Sequence, residues 1–345
     1  MNEKITVHQR ERSGQMAPFL FANIYFTVIF IVGSNFVSSL KIREISVRNF
    51  QAIVASLWEA DTSRQRLILN NQQSKLFPPK TLTKYQTKPT VEKLLEIFKI
   101  YDDEKAIDGL DQQLLDVKVK QFLYELVRTR VFTILRDKLK LYDVPSAENV
   151  DEFTKFIYDI WFKRYKRKST GKMGSSAFQH VFIGESNEET NEVSGLHNWI
   201  RYSYLEEKGL IQYDPYKGYM REFVATISYK LNGKSKPFGS MFVGTSPEFE
   251  MAVFTLCYLF MPGDEKCRFL LSDCTQIKAT TRPLQNSQFD THKNPSSIEH
   301  VPLGTAYPVV GEVVKDCNFY EEMVPAPPVA VPAWGNRNTV DTLFG

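Results

Sequence analysis

Histidine and cysteine are both scarce in this chain, which has five histidines and four cysteines among its 345 residues. The cysteines form no Cys-x-x-Cys pair, so the spacing of common structural zinc sites is missing. There is no Gly-x-Ser-x-Gly motif, which leaves a serine hydrolase with little support. There is no Asn-x-Ser/Thr sequon either, so glycosylation does not indicate the compartment. The net charge of +3 is too small by itself to indicate an acidic partner. We therefore look for the chemistry of this chain among its few histidines.

The four cysteines all lie in the C-terminal part, at Cys257, Cys267, Cys274 and Cys317. One or two disulfides would suit a secreted protein. Cys257 lies within the apolar run of residues 252–260, and we expect it to be a buried free thiol.

The N-terminal region carries a targeting signal. A polar start of 15 residues precedes an uncharged, mostly apolar run over residues 17–33. That run is short for a membrane span and long for the core of a signal peptide. Small residues at positions 37–39 offer a cleavage site. We predict that residues 1–39 are a cleaved signal peptide and that the protein is secreted. An uncleaved single-pass anchor in the secretory pathway and a buried core helix are the alternatives.

Residues 40–170 favour helices. Apolar residues at i, i+3, i+4 and i+7 over residues 91–98 predict one amphipathic helix. Similar stripes predict a second helix through residues 123–135 and a third through residues 153–161. A basic run with an interleaved tyrosine follows at residues 163–168; it is either a solvated helix end or a contact for a phosphate backbone.

Residues 171–315 have a different texture, with frequent glycines and short apolar runs that are typical of strands. We expect strands near residues 177–183, 222–229, 239–244, 268–271 and 306–310. Two helices interrupt them. One follows His197, and the other runs from Glu248 to Phe260, with Ser246 as N-cap and Pro247 in its first turn.

The predicted fold class is α+β, a helical N-terminal half followed by a mixed sheet and helix catalytic half. The domain would span residues 40–315, divided at about residue 170. The proline-rich tail, residues 316–345, is predicted to be disordered.

Two of the five histidines, His180 and His197, lie 17 residues apart in similar settings. Each follows small residues and one apolar or aromatic side chain. A lone histidine of this kind is more often a core residue, and the pair is a weak metal signature. Two imidazoles can, however, act as base and acid near neutral pH, and RNA supplies its own 2′-hydroxyl nucleophile. Such a scheme requires a cationic residue as well, which spacing alone does not identify.

Several separated strings, in a consistent order, closely resemble the EndoU (XendoU, poly(U)-specific) endoribonuclease family. They cover roughly residues 44–312. The strings are LWEADTSR at 57–64, SSAFQHVFIGE at 175–185, EVSGLHNWIR at 192–201, KPFGSMFVGTSPEFEMA at 236–252 and GTAYP at 304–308.

The resemblance implies a catalytic trio of His180, His197 and Lys236. By analogy with the related coronaviral uridylate-specific endoribonuclease, His197 is the base and His180 the acid. The same analogy makes Ser240 a hydrogen-bond partner of uracil and Tyr307 a stacking platform for the base. The alternative for Tyr307 is an ordinary aromatic residue before a strand proline.

The chain departs from the family pattern at one position of this site. Gln179 stands where the family usually has glutamate before the first histidine, whereas the second family glutamate is present as Glu185. The family is typically dependent on Mn²⁺, to which carboxylates around the site could contribute. An amide still accepts a hydrogen bond, so the departure does not predict inactivity. It could weaken the ion dependence or change the pKa of His180.

The resemblance implies a uridylate-specific endoribonuclease. Its substrate is expected to be single-stranded U-containing RNA and not DNA, and its products 2′,3′-cyclic phosphate and 5′-hydroxyl ends. We expect a monomer that meets a membrane only if the leader is uncleaved. The alternative is a secreted RNA-binding protein of the same fold with little or no turnover.

Overall fold

The structure is a computed structural model that describes residues 44–67, 69, 75–103, 111–164, 174–187, 189–271, 275–284 and 302–314. All of them belong to one compact unit, Ser39–Gly345. The predicted leader, the predicted tail and residues 165–168 of the basic run lie outside the described residues. Within the described ranges, no helix has the length and hydropathy to cross a bilayer.

Among the described residues of the N-terminal half there are five α-helices, and most begin at a capping side chain. Ser46, Asp111, Thr129 and Asn149 each accept a backbone N–H of the first turn, as N-cap residues commonly do. The helices are α1 (Val47–Ala60), α2 (Pro89–Asp103), α3 (Gln112–Val127), α4 (Arg130–Lys140) and α5 (Val150–Trp161).

The single helix predicted through residues 123–135 is wrong. Helix α3 ends at Val127 and α4 begins at Arg130. The side chain of Thr129 accepts the backbone N–H of Phe132 at 3.2 Å and so starts a new helix. The apolar stripe continues across the break because both helices face the same core. Periodicity alone therefore does not reveal where one helix ends and the next begins.

The part of the C-terminal half that the structure describes contains two sheets and two α-helices, which confirms the α+β class. The first sheet has the order β1-β2-β5-β4-β3, in which only the β2–β5 pair is parallel; the second, β6-β7-β8, is antiparallel. The helices are α6 (Trp199–Glu207) and α7 (Pro247–Phe260). The strands are β1 (Glu185–Asn187), β2 (Glu192–Ser194), β3 (Ile211–Arg221), β4 (Val224–Leu231), β5 (Lys234–Phe242), β6 (Gly263–Leu270), β7 (Thr275–Pro283) and β8 (Leu303–Val313).

The segment 177–183, predicted as a strand, is helical instead. It ends in one turn of π-helix, Gln179–Ile183. Ser176 starts the turn, because its hydroxyl accepts the N–H of Gln179 at 3.1 Å and its carbonyl accepts that of His180 at 3.0 Å. The apolar side chains of the segment are buried on all sides, so the run lacks the two-residue alternation of a half-buried strand.

The free thiol predicted at Cys257 is also wrong. Cys257 forms a disulfide with Cys267, with 5.4 Å between the two Cα atoms. Both side chains are fully buried, which agrees with the apolar run around Cys257. The bond joins the end of α7 to β6. Cys274 and Cys317 lie outside the described residues.

Buried polar contacts join the helical half to the sheets. The side chain of Gln51 in α1 makes two hydrogen bonds with the backbone of Leu270 in β6. Trp161 in α5 donates to the hydroxyl of Thr255 in α7 at 2.9 Å. One contiguous hydrophobic core runs through both halves.

Candidate active site

The two histidines are brought together by direct backbone contact between their segments. The carbonyl of His180 accepts the N–H of Leu196 at 2.9 Å, and His197 donates its N–H to the carbonyl of Val181 at 2.6 Å. Gly195 has φ of +69°, and a Cβ there would lie 1.9 Å from the carbonyl oxygen of His180. Only glycine fits this approach, which accounts for the Ser-Gly before Leu196.

The two imidazoles face one cleft, with ring centroids 6.3 Å apart. Nδ1 of His197 lies 2.8 Å from the carbonyl oxygen of Ser240 in β5. Because a carbonyl only accepts, this contact places the hydrogen on Nδ1 and leaves Nε2 of the neutral ring as an acceptor. Nδ1 of His180 lies 3.1 Å from a carboxylate oxygen of Glu185 at the start of β1. Each ring is therefore held at Nδ1, and Nε2 remains for substrate.

Burial sets the charge of His197. Its side chain is buried, and this desolvation, together with the positive charges of Lys236 and His180, lowers its pKa well below 6.5. The hydrogen bond to Ser240 opposes the change only partly. His197 is therefore neutral at pH 7, the state that a proton acceptor requires.

Lys236 contributes an ammonium to the cleft from β5. Burial lowers its pKa to about 8, against the opposing charge of Glu192. With a pKa about one unit above neutrality, roughly nine in ten molecules carry the ammonium at pH 7. Lys230 and Lys234, its neighbours in sequence, do not line the cleft. The structure thus brings the trio implied by the resemblance into one site.

Ser240 and Tyr307 lie in the same cleft. The hydroxyl of Ser240 is 2.9 Å from that of Thr226 and donates to the carbonyl of Pro308. The ring of Tyr307, from β8, stacks on His197 with centroids 4.9 Å apart and planes 26° apart. The second sheet therefore contributes one wall of the site.

The cleft has a volume of about 680 Å³ and includes residues that the sequence analysis did not single out. Thr226 lies opposite Ser240 in the β4–β5 register, and only that register reveals it. Arg282 in β7 reaches the cleft while its Nη2 donates to Asp264 at 2.7 Å. Phe238 lies two residues before Ser240 in β5, and this spacing in a regular strand could have indicated it.

Gln179 is not brought into the cleft. Its side chain is buried, at 2% exposure, and it is not among the residues that line the site. Glu185 does not line the cleft either, but its carboxylate contacts Nδ1 of His180, which does. Within the described ranges, no group of three or more histidine, cysteine, aspartate and glutamate side chains could hold a metal ion.

The sequence and the fold are similar to those of known endoribonucleases. A family model described as endoribonuclease XendoU matches residues 48–298. Uridylate-specific endoribonuclease B of Danio rerio is 29% identical over 259 residues, which are 66% of this chain and 89% of that protein. Uridylate-specific endoribonuclease C of Danio rerio is 39% identical over 127 residues, or 35% of this chain and 40% of that protein. The Bos taurus uridylate-specific endoribonuclease is 30% identical over 244 residues, which are 64% of this chain and 57% of that protein.

The chain thus spans most of the first of these relatives but well under two thirds of the other two. A solved structure of XendoU, described as a splicing-independent snoRNA-processing endoribonuclease, matches with a TM-score of 0.60 at 23% identity. The match covers 77% of this chain and 98% of that one, which confirms the fold. Since the family model extends over well more than half of the sequence, the chain belongs to the XendoU endoribonuclease family.

Proposed function

We propose that this protein is an endoribonuclease that cleaves single-stranded RNA at uridylates and leaves 2′,3′-cyclic phosphate and 5′-hydroxyl ends. The observation that carries the proposal is the convergence of two imidazoles and one ammonium in a single cleft. The names of the curated relatives support the choice of uridylate. DNA lacks the 2′-hydroxyl and is not a substrate.

In the proposed reaction, His197 is the base and His180 the acid. Nε2 of neutral His197 accepts the proton of the 2′-hydroxyl, whose oxygen forms a bond to phosphorus. The bond from phosphorus to the 5′-oxygen breaks, and that oxygen takes a proton from His180. The ammonium of Lys236 stabilises the negative charge that grows on the non-bridging oxygens. Glu185 orients the ring of His180 through the 3.1 Å contact at Nδ1.

Uridine selection is assigned to Ser240 and Tyr307. The hydroxyl of Ser240 is held by Thr226 and the Pro308 carbonyl, so its direction is defined before substrate binds. It is positioned to form a hydrogen bond with an edge of uracil. Tyr307 offers an aromatic face from β8, the kind of surface on which an unstacked base packs.

Dependence on Mn²⁺ is a further part of the proposal, and it rests on the family resemblance. The described residues near the cleft do not form a set of ligands that fits the ion. The steps above are accordingly assigned to protein side chains alone. Digestion with Mn²⁺, and separately with a chelator, tests this dependence.

We also propose that the protein is secreted as a monomer, with a single-pass anchor as the alternative. The Cys257–Cys267 disulfide supports folding in an oxidising compartment. N-terminal sequencing of the mature protein tests whether residues 1–39 are removed. Gel filtration at known concentration tests the oligomeric state.

Gln179 and the basic run at residues 163–168 are the features that favour the alternative function, an RNA-binding protein with little turnover. Gln179 does not line the cleft, whereas His180, His197 and Lys236 all do. A cleavage assay separates the two functions directly. Binding without turnover would favour the alternative.

The first prediction concerns the catalytic trio. Each of His180→Ala, His197→Ala and Lys236→Ala should lower cleavage of an oligonucleotide with one uridine on the order of 100-fold or more, because each removes a proton-transfer group or the cation. The measurement is digestion of the end-labelled oligonucleotide with analysis of both new ends. Lys230→Ala, which changes an exposed lysine of β4, is the matched control and should retain activity.

Two results would contradict this prediction. Full activity in any of the three variants would remove that residue from the mechanism. Cleavage of the same oligonucleotide with 2′-deoxyuridine at the single uridine position would remove attack by the 2′-hydroxyl altogether.

A further inference from the structure

Phe238 is a large apolar side chain that lies in the cleft and yet is 77% exposed. A single exposed apolar residue is ordinary on a protein surface. Phe238, however, is placed between Lys236, which serves the phosphate in the proposed reaction, and Ser240, which serves uracil. The aromatic ring at that position is open to solvent at the cleft.

The local backbone directs Phe238 to the cleft. A Cβ at Gly239 would lie 2.7 Å from Cε1 of the buried Tyr229, so the side of Gly239 that would carry a side chain faces the core. Side chains alternate along a strand, and Phe238 and Ser240 therefore share the opposite face. The absence of a side chain at Gly239 is what lets β5 pack closely on Tyr229 at this point.

An irregularity in the sheet separates Phe238 from its neighbours. The β4–β5 register shifts between Ile227 and Tyr229, so that Pro237 and Phe238 together lie opposite the single residue Ser228. Such a bulge bends the strand and re-aims a side chain, and bulges are common beside active sites. Phe238 thereby stands out from the sheet beside the site.

We infer that Phe238 stacks on the base of a nucleotide next to the uridylate in the cleft. This inference rests on the proposed function, because it requires single-stranded RNA in the site. Stacking of a base on an aromatic ring contributes about 1–3 kcal/mol and tolerates any base, since every base has a π face. Phe238 would therefore strengthen binding of longer RNA without adding a second base preference.

The test couples a protein change to a substrate change. Wild type and Phe238→Ala are assayed on a short oligonucleotide with one uridine, and on versions with an abasic site directly 5′ or directly 3′ of it. On the intact substrate, Phe238→Ala should lower kcat/KM by about 5- to 150-fold, the equivalent of the stacking energy above. On the version that lacks the stacked base, the same substitution should have little effect.

Matched variants separate stacking from other effects. Phe238→Trp should retain most of the activity, because it keeps an aromatic face. Tyr216→Ala removes an aromatic residue that is 94% exposed on β3 and does not line the cleft, and it should leave kcat/KM unchanged. Thermal unfolding of each variant checks that the fold is intact.

The inference is overturned if Phe238→Ala has no effect, or if it lowers kcat/KM by the same factor on all three substrates. If the proposed function is wrong, the wild-type protein will not cleave the intact oligonucleotide, and this result is distinct from any effect of Phe238→Ala. Affinity for a version with 2′-deoxyuridine, measured by fluorescence anisotropy, keeps the test independent of turnover. In that assay, Phe238→Ala should weaken binding only when the stacked base is present, and equal weakening on all versions would overturn the inference.

Discussion

Burial lowers the pKa of two residues of the candidate active site. The pKa of His197 is lowered because its ring is buried and because Lys236 and His180 lie nearby. The same burial brings the pKa of Lys236 down to about 8. The base is thus neutral and the cation is still charged at pH 7. A histidine with a pKa near 6.5 would be partly protonated at pH 7, and burial removes that charged fraction from His197. Lys236 stays charged despite its burial because its lowered pKa is still above 7.

The second prediction is a pH dependence that comes from Lys236. Above pH about 8 its ammonium deprotonates and the cation is lost, whereas the guanidinium of Lys236→Arg stays charged. The ratio of wild-type to Lys236→Arg kcat/KM should therefore fall by up to about tenfold per pH unit above that value. The measurement is the two pH profiles from pH 6 to about 10. A constant ratio across the range would contradict the assignment.

At the scale of elements, the start of α7 is hydrogen-bonded to the residue that follows His197. Glu250 accepts hydrogen bonds from Asn198 at 3.0 Å and from Thr245 at 2.9 Å. Asn198 directly follows His197, and its side-chain oxygen caps α6 by accepting the N–H of Arg201 at 2.9 Å. Asp61, at the end of α1, accepts the N–H of Ser246 at 3.1 Å. The conformation after His197 is thus set by α6 and α7 together.

The third prediction follows from the burial of these carboxyl groups. Burial, with the nearby charges of Asp61 and Glu248, raises the pKa of Glu250 from 4.5 to about 8. The folded protein therefore holds this proton to higher pH than the unfolded chain does. Its contribution to stability is present below pH about 4.5 and is lost as the pH rises toward about 8. The Glu250→Gln side chain cannot ionise, so the stability of that variant does not fall with pH for this reason.

We expect the free energy of unfolding of wild type, relative to Glu250→Gln, to fall by up to about 1.4 kcal/mol per pH unit between pH 5 and 8. Denaturant unfolding at several pH values measures it. Glu152→Gln, at an exposed glutamate of α5, controls for loss of a carboxylate. A flat difference between wild type and Glu250→Gln would show that Glu250 does not titrate in this range.

At the scale of the whole molecule, the helical half and the sheets share one core and exchange buried hydrogen bonds. Gln51 is 5% exposed, and its amide both donates to and accepts from the backbone of Leu270, at 3.0 and 2.8 Å. Two peptide groups of β6 thus depend on a side chain from α1. Such links favour unfolding of both halves in one cooperative transition.

The fourth prediction tests this connection. Gln51→Leu keeps most of the volume but leaves two peptide groups of Leu270 without these partners, which should lower the free energy of unfolding by about 2 kcal/mol. Circular dichroism and loss of activity should follow one shifted transition. At 25 °C kcat/KM should change less than about twofold, because Gln51 does not line the cleft.

Gln113→Leu, at an exposed glutamine of α3, is the matched control and should leave stability nearly unchanged. Two separate transitions, or an unchanged stability in Gln51→Leu, would contradict the connection between the halves.

The sequence by itself determined the fold class and most of the helices, and its resemblance to a family pointed to His180, His197 and Lys236. Amphipathic stripes and caps such as Ser246 are local, since the residues that form them are close in the chain. The strings around His180, His197 and Lys236 are also local, so they can be compared with a family without knowledge of the fold. Five of the site residues implied by the resemblance line the cleft: His180, His197, Lys236, Ser240 and Tyr307. Glu185 contacts His180 from outside the lining, and Gln179 is buried away from it.

Only the tertiary structure decided the features that depend on contacts between distant residues. The helical turn at 177–183 forms because the segment is buried on all sides, and the break at Thr129 is hidden by a shared core face. The pairing of Cys257 with Cys267 needs the end of α7 to meet β6. Thr226 reaches Ser240 through strand register, and the lowered pKa of His197 comes from desolvation. Register and burial are properties of the packed molecule, because they depend on which surfaces meet once the chain has folded.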